Sequence, residues 1–200
     1  MGAETDRTVI TQIKNDASTL WAMGRSDTLP FIARVSANNR LTTLNQFLSQ
    51  NLITGRVEDA VFDHDTALLL IALDPDVQGA RSFGLLKMLP DGTPLWAFRY
   101  DHAPAIGSIL YRQMERTKDG GVVLLVTDEK NASSSQIYLH RIDRNGNMKW
   151  SRTVARARYS FYGKNHLAVV GNSIFLAIEH TDLNSFYFIK TGALLQARCS

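Results

Sequence analysis

Acidic and histidine side chains that lie close together in sequence are the first places where this chain could do chemistry. Asp63-His64-Asp65 offers three metal ligands, and Glu179-His180-Thr181-Asp182 sets a histidine beside two acids. Neighbouring residues on one tight segment diverge rather than converge on a single ion, so each reads as a solvated turn or loop. Three aspartates, Asp74, Asp128 and Asp182, follow one another at intervals of 54 residues. Two carboxylates facing a shared cavity would suit glycoside hydrolysis. A carboxylate that recurs at one repeat position instead predicts a turn cap that accepts backbone N–H groups. There is no G-x-S-x-G elbow, phosphate-binding glycine loop, dinucleotide fingerprint or paired set of cysteine or histidine ligands. The residues therefore assign no catalytic group, no metal site and no cofactor.

The densest chemical feature is basic. Arg141, Arg144, Lys149, Arg152, Arg156, Arg158 and Lys164 are interleaved with Tyr159, Phe161 and Tyr162 and opposed by Asp143 alone. As a binding surface, with Lys149, Arg152, Arg156, Arg158, Tyr159 and Lys164 as its contact residues, this cluster suits an anionic glycan, a nucleic acid backbone or an acidic partner. The plainer reading takes precedence: the charges alternate outward from a strand and the aromatics belong to the core beyond it. The charge is local, since residues 1–100 carry 9 Lys/Arg against 11 Asp/Glu, whereas residues 101–200 carry 13 against 8.

What must position these residues is a recurring strand-turn-strand pattern. Residues 138–142 alternate apolar and polar, Asp143-Arg144-Asn145-Gly146-Asn147 is a turn, and alternation resumes over 148–154. Asn-Gly predicts a two-residue hairpin loop with positive backbone angles. The same order appears in 83–98 around Asp91-Gly92, and Gly92 and Gly146, like Trp96 and Trp150, stand 54 residues apart. A degraded version spans 30–44, with Asn39 in the glycine's place. Over 44–52 the apolar spacing also fits a short helix, the main rival to an all-strand reading there. Apolar runs at 67–73, 122–126 and 174–178 mark the second strand of successive cycles, and each is expected to be buried on both faces.

Four cycles, at residues 8–52, 53–103, 104–156 and 157–200, each readable as four strands, fit one all-β repeat domain of the β-propeller kind or a segment of a larger one. The glycine turn followed by tryptophan, Asn145-Gly146-Asn147-Met148-Lys149-Trp150, resembles the loosely related propeller repeats of bacterial envelope proteins, quinoprotein-like repeats among them. The resemblance implies that Trp96 and Trp150 dock neighbouring blades. It further implies a noncatalytic scaffold that binds protein, with a carbohydrate-active hydrolase or quinone-cofactor dehydrogenase using the central channel as the alternative.

Composition narrows the remaining classes. An apolar fraction of 44% and a charged fraction of 20% are those of a folded globular chain. The longest apolar run, 67–73, is too short for a membrane-crossing helix. The polar start fits either a cytosolic protein or one whose leader has been removed. The single cysteine, Cys199, excludes a disulfide scaffold within this sequence.

Overall fold

Alternating side chains and glycine turns fold into fifteen antiparallel strands arranged in four sheets, with no helix among the described residues. The computed structural model describes residues 8–16, 19–27, 29–35, 38, 40–46, 55–63, 65–74, 82–89, 91–101, 108–131, 134–157, 166–180 and 185–191. The first sheet holds β1 (Thr8–Asp16), β2 (Thr19–Ser26), β3 (Leu29–Val35) and β4 (Leu41–Gln46). The second holds β5 (Gly55–Asp63), β6 (Thr66–Leu73), β7 (Ser82–Met88) and β8 (Pro94–Asp101), and the third β9 (Ser108–Arg116), β10 (Val122–Asn131), β11 (Ser134–Ile142) and β12 (Met148–Ala157). The fourth has three strands among the described residues, β13 (His166–Val170), β14 (Ser173–His180) and β15 (Ser185–Thr191). Each sheet is a meander whose neighbours in sequence are neighbours in space. The strand reading therefore wins over a helix as far as Gln46, and 47–52 lie outside the described residues.

The turns correct one expectation. Asn145-Gly146 is not a two-residue loop: Gly146 N donates to Asp143 O at 3.0 Å and Asp143 N to Asn147 O at 3.0 Å, which closes the three-residue loop Arg144-Asn145-Gly146. Only the glycine takes a positive φ, 87°. The same two bonds close the turns at Leu89/Gly92/Thr93 and Thr117/Gly120/Gly121, where Gly92 and Gly120 have φ of 92° and 82°. This is the turn followed by a left-handed glycine bulge, and its third position selects glycine because a Cβ is penalised there.

The chain divides into two compact units, Met1–Pro104 and Ala105–Ser200. In the first unit, two sheets pack face to face through Trp21, Met23 and Ile32 on one side and Val57, Leu69, Ile71, Leu86 and Met88 on the other. The Trp21 ring stacks on Phe62 of the second sheet at 5.5 Å. In the second unit, Val123, Leu125, Ile137 and Leu139 meet Leu167, Ile174, Leu176 and Ile178. Full burial of one such side chain contributes about 1.5–3 kcal/mol, so these clusters outweigh any single polar tie between the sheets.

Polar ties nonetheless fix how the sheets meet. The first strands of three sheets carry one extra residue, seen as register shifts around Thr11 in β1, Glu58 in β5 and Arg112 in β9. Such a bulge re-aims the side chains beside it. In the first unit Thr11 Oγ1 donates to Val57 O, and the Lys14 ammonium reaches Ala60 O at 2.7 Å and Asp59 Oδ1 at 2.6 Å. Asp59 is fully buried and also accepts from Ala60 N at 2.8 Å. Its repeat equivalent 54 residues on, Gln113, bridges β9 to β13: its Nε2 donates to Leu167 O at 2.9 Å and its Oε1 accepts from Leu167 N at 2.8 Å. Breaking a buried ion pair from one side leaves a naked charge. Lys14→Met should therefore cost about 3 kcal/mol in urea unfolding, and Lys14→Met/Asp59→Leu should regain most of it. A Lys14→Met loss that the double variant does not relieve would show that the pair is not what holds this junction.

Candidate interaction surface

The structure dissolves the basic cluster into unlike parts. Arg141, counted with it from sequence, is buried: its side chain is 5% exposed and its guanidinium forks onto both oxygens of Asp119, at 2.5 and 2.6 Å. Its Nη1 also donates to Val122 O at 3.1 Å and to Ile142 O. Arg141 is thus a bracket between two glycine turns and is not available to a polyanion. Of the predicted contact residues, Lys149 and Arg152 are exposed on the edge strand β12. Lys149 is the extra residue of a register shift, 3.4 Å from Asp143, and the Arg152 guanidinium stands 5.1 Å over the Trp150 ring. Arg156 belongs to β12 opposite Gln136, and Arg158, Tyr159 and Lys164, with Phe161 and Tyr162, lie outside the described residues.

The acidic candidates also separate. Asp128 is no turn cap, since it sits inside β10 opposite Gln136 and Ile109 and is buried. Asp74 lies 3.7 Å from Arg25, and Asp182 is outside the described residues, as is His64 between Asp63 and Asp65. Glu179 and His180 continue β14, paired with Phe186 and Ser185. Among the described residues no group of three or more His, Cys, Asp or Glu could hold a metal ion. The capping aspartates are others. Asp91 accepts from Thr93 N at 2.8 Å, Asp143 from Asn145 N and Asn147 N at 2.9 Å each, and Asp119 from the Thr117 hydroxyl at 2.6 Å.

Trp150 flanks the core shared by the third and fourth sheets, whereas the half-buried Trp96 ring meets Phe98 of its own strand at 5.2 Å. The surface that sequence reasoning missed lies on the fourth sheet. One central strand in each of the other sheets has a stretch covered on both faces: Val122–Asp128 of β10, Ser82–Leu86 of β7 and Pro30–Ala33 of β3 are buried without alternation. In β14, Ile174, Leu176 and Ile178 are buried while Phe175 is 39% exposed, so one face only is covered. Cross-strand register places His166, Ala168, Phe175, Ala177, Phe188 and Lys190 together on the outer face. They line a depression of about 410 Å³, with Phe188 83% exposed and the Lys190 ammonium 5.6 Å from the Phe175 ring. The signal was present in Phe175-Leu176-Ala177-Ile178, which offers no polar residue for a solvated face.

A comparison of the chain with protein-family models gives no match, and a comparison with curated proteins gives none either.

The hydroxyl of Thr117 first, and the Arg141 guanidinium after it, hold the Asp119 carboxyl below the usual carboxylate range against the opposing effect of burial. For Asp143, burial pulls upward, but bonds from Asn147, Asn145 and Lys149 prevail and lower it. A carboxyl lowered on folding stabilises above its unfolded pKa, about 3.9, and that stability is lost as pH falls through the folded value. Stability of the wild type should therefore decline below about pH 4, with a shallower decline in Asp119→Asn, read as urea midpoints across pH 2–7. At neutral pH, Asp119→Ala should cost about 1–3 kcal/mol, because a buried guanidinium loses two acceptors. Gly121→Ala should cost at least as much, since its Cβ would overlap Arg141 Nη1 and Ile142 O.

Proposed function

We propose that this chain is a noncatalytic binding platform of the propeller type, and that it meets protein partners through the outer face of its fourth sheet. One observation carries the reading: an aromatic, apolar sheet face, with Phe188 83% and Val170 65% exposed, stands open, whereas β3, β7 and β10 of the other sheets contain unbroken buried runs. Contiguous exposed apolar surface with a polar rim is characteristic of protein interaction sites, and here Lys190 and His166 supply the rim. Three features support the propeller comparison. The sheets are sequential meanders, consecutive sheets within each unit pack face to face, and the first strands of those sheets are tied to each other.

Peptides selected from a display library on the full chain should be rich in apolar and aromatic residues. Their affinity should fall at least tenfold against Phe188→Asp, a substitution at an exposed site, and stay unchanged against Lys149→Ala/Arg152→Ala. Binders indifferent to Phe188→Asp would remove the face from consideration.

The exposed Lys149 and Arg152 favour a second reading, in which the β12 edge holds an anionic polymer. That binding would weaken with salt through counterion release. Retention on heparin that drops in Lys149→Ala/Arg152→Ala would support it, and unchanged retention would remove it.

A further inference from the structure

Resting on the reading of the fourth sheet as a docking face, we propose that its occupant is a second copy of this chain, with the two outer faces packed on each other about a two-fold axis. The sequence of β14 is written for burial on both sides, as are β6 and β10, yet its outer face carries Phe175 39% exposed beside a half-buried Ala177. In each unit the cover for one sheet is another sheet.

In each stacked pair the clasp comes from the bulged first strand of the earlier sheet, by polar side chains at or after the bulge, Thr11 and Lys14 in β1 and Gln113 in β9. In β13 the corresponding residue, 54 positions after Gln113, is Leu167, and the β13–β14 register is unbroken. The fourth sheet thus offers no clasp for a further sheet in that mode, and what it offers is shape. Phe188 projects from the face, and Ala168 and Ala177 floor the 410 Å³ depression beside it. A knob and a hole on one surface are self-complementary under a two-fold operator, which sets each Phe188 ring over the alanine floor of the other copy. Lys190 stays at the rim over Phe175 and leaves the floor uncharged.

Area sets the strength. Three strands about 4.8 Å apart and about 20 Å long present on the order of 300 Å² in projection per copy. Two copies together reach roughly 600 Å², below the roughly 1,200–2,000 Å² of stable complexes, so the dimer is weak and concentration-dependent. The two Phe rings account for much of the surface covered. The two Lys190 side chains bring like charge together, so added salt strengthens this association, opposite in sign to polyanion binding at β12.

Sedimentation velocity of the full chain from about 1 µM to about 500 µM tests the proposal, since a contact of this size dissociates within that range. The weight-average coefficient should rise toward that of a dimer, more steeply at about 500 mM than at about 50 mM NaCl. Phe188→Asp and, separately, Ala168→Arg should each weaken self-association at least tenfold while the circular dichroism spectrum and urea midpoint stay unchanged. A wild type that remains monomeric throughout, or a dimer indifferent to both substitutions, overturns the proposal. If the wild type is monomeric while selected peptides still lose affinity for Phe188→Asp, the second copy is wrong and the docking face stands. If both experiments fail, the reading of the face fails with it.

Discussion

The second and fourth sheets each begin with an edge strand whose outward backbone groups are met by side chains of the preceding sheet, and that constraint governs how the sheets of each unit come together. The first unit supplies donors from Thr11 and Lys14 to the carbonyls of Val57 and Ala60, and the second unit uses the two ends of the Gln113 amide as a substitute strand for Leu167. Both depend on an extra residue in the first strand, which turns a polar side chain toward the neighbouring sheet. Once these edges are joined, the apolar faces behind them close into two cores. Hydrophobic area supplies most of the stability, while the directional bonds decide which register the faces adopt.

Strand existence was largely legible in the sequence, because alternation and glycine turns are local properties. The 54-residue spacing of Gly92 and Gly146 marks two structurally equivalent turns, each with its glycine in the same conformation. The loop type was misjudged because Asn-Gly satisfies both a two-residue loop and the last two places of a three-residue loop, and the hydrogen bonds that the Asp143 carboxylate accepts from Asn145 N and Asn147 N select the latter. Bulges left no trace in the pattern, since one added residue only reverses the alternation, as Val57-Glu58-Asp59-Ala60 illustrates. Asp59 could have been flagged as an acid embedded in an apolar strand. Its partner, 45 positions earlier, could not.

The candidate surface was legible only in composition. Counting positive residues between 141 and 164 suggested one patch, but register turns Arg141 inward to Asp119 and leaves Lys149 and Arg152 outside. Charge in sequence is not charge on a face, because a strand sends successive residues to opposite sides. The open fourth sheet shows the converse. Its apolar outer residues look like core in the sequence, and the exposure of Phe175, Phe188 and Val170 is what makes them surface.

The meander topology bears on how the chain comes to be folded at all. Each hydrogen-bonded strand pair joins segments adjacent in sequence, so forming any one sheet closes only short loops. Loop closure is the entropic hurdle that slows most all-β proteins, and here it is divided into small steps. During synthesis a complete meander can pair while the next is still being made, and the clasp at Lys14 or Gln113 must wait for the following first strand. The bulged strands would then act late, as the checkpoint at which one finished sheet accepts its neighbour.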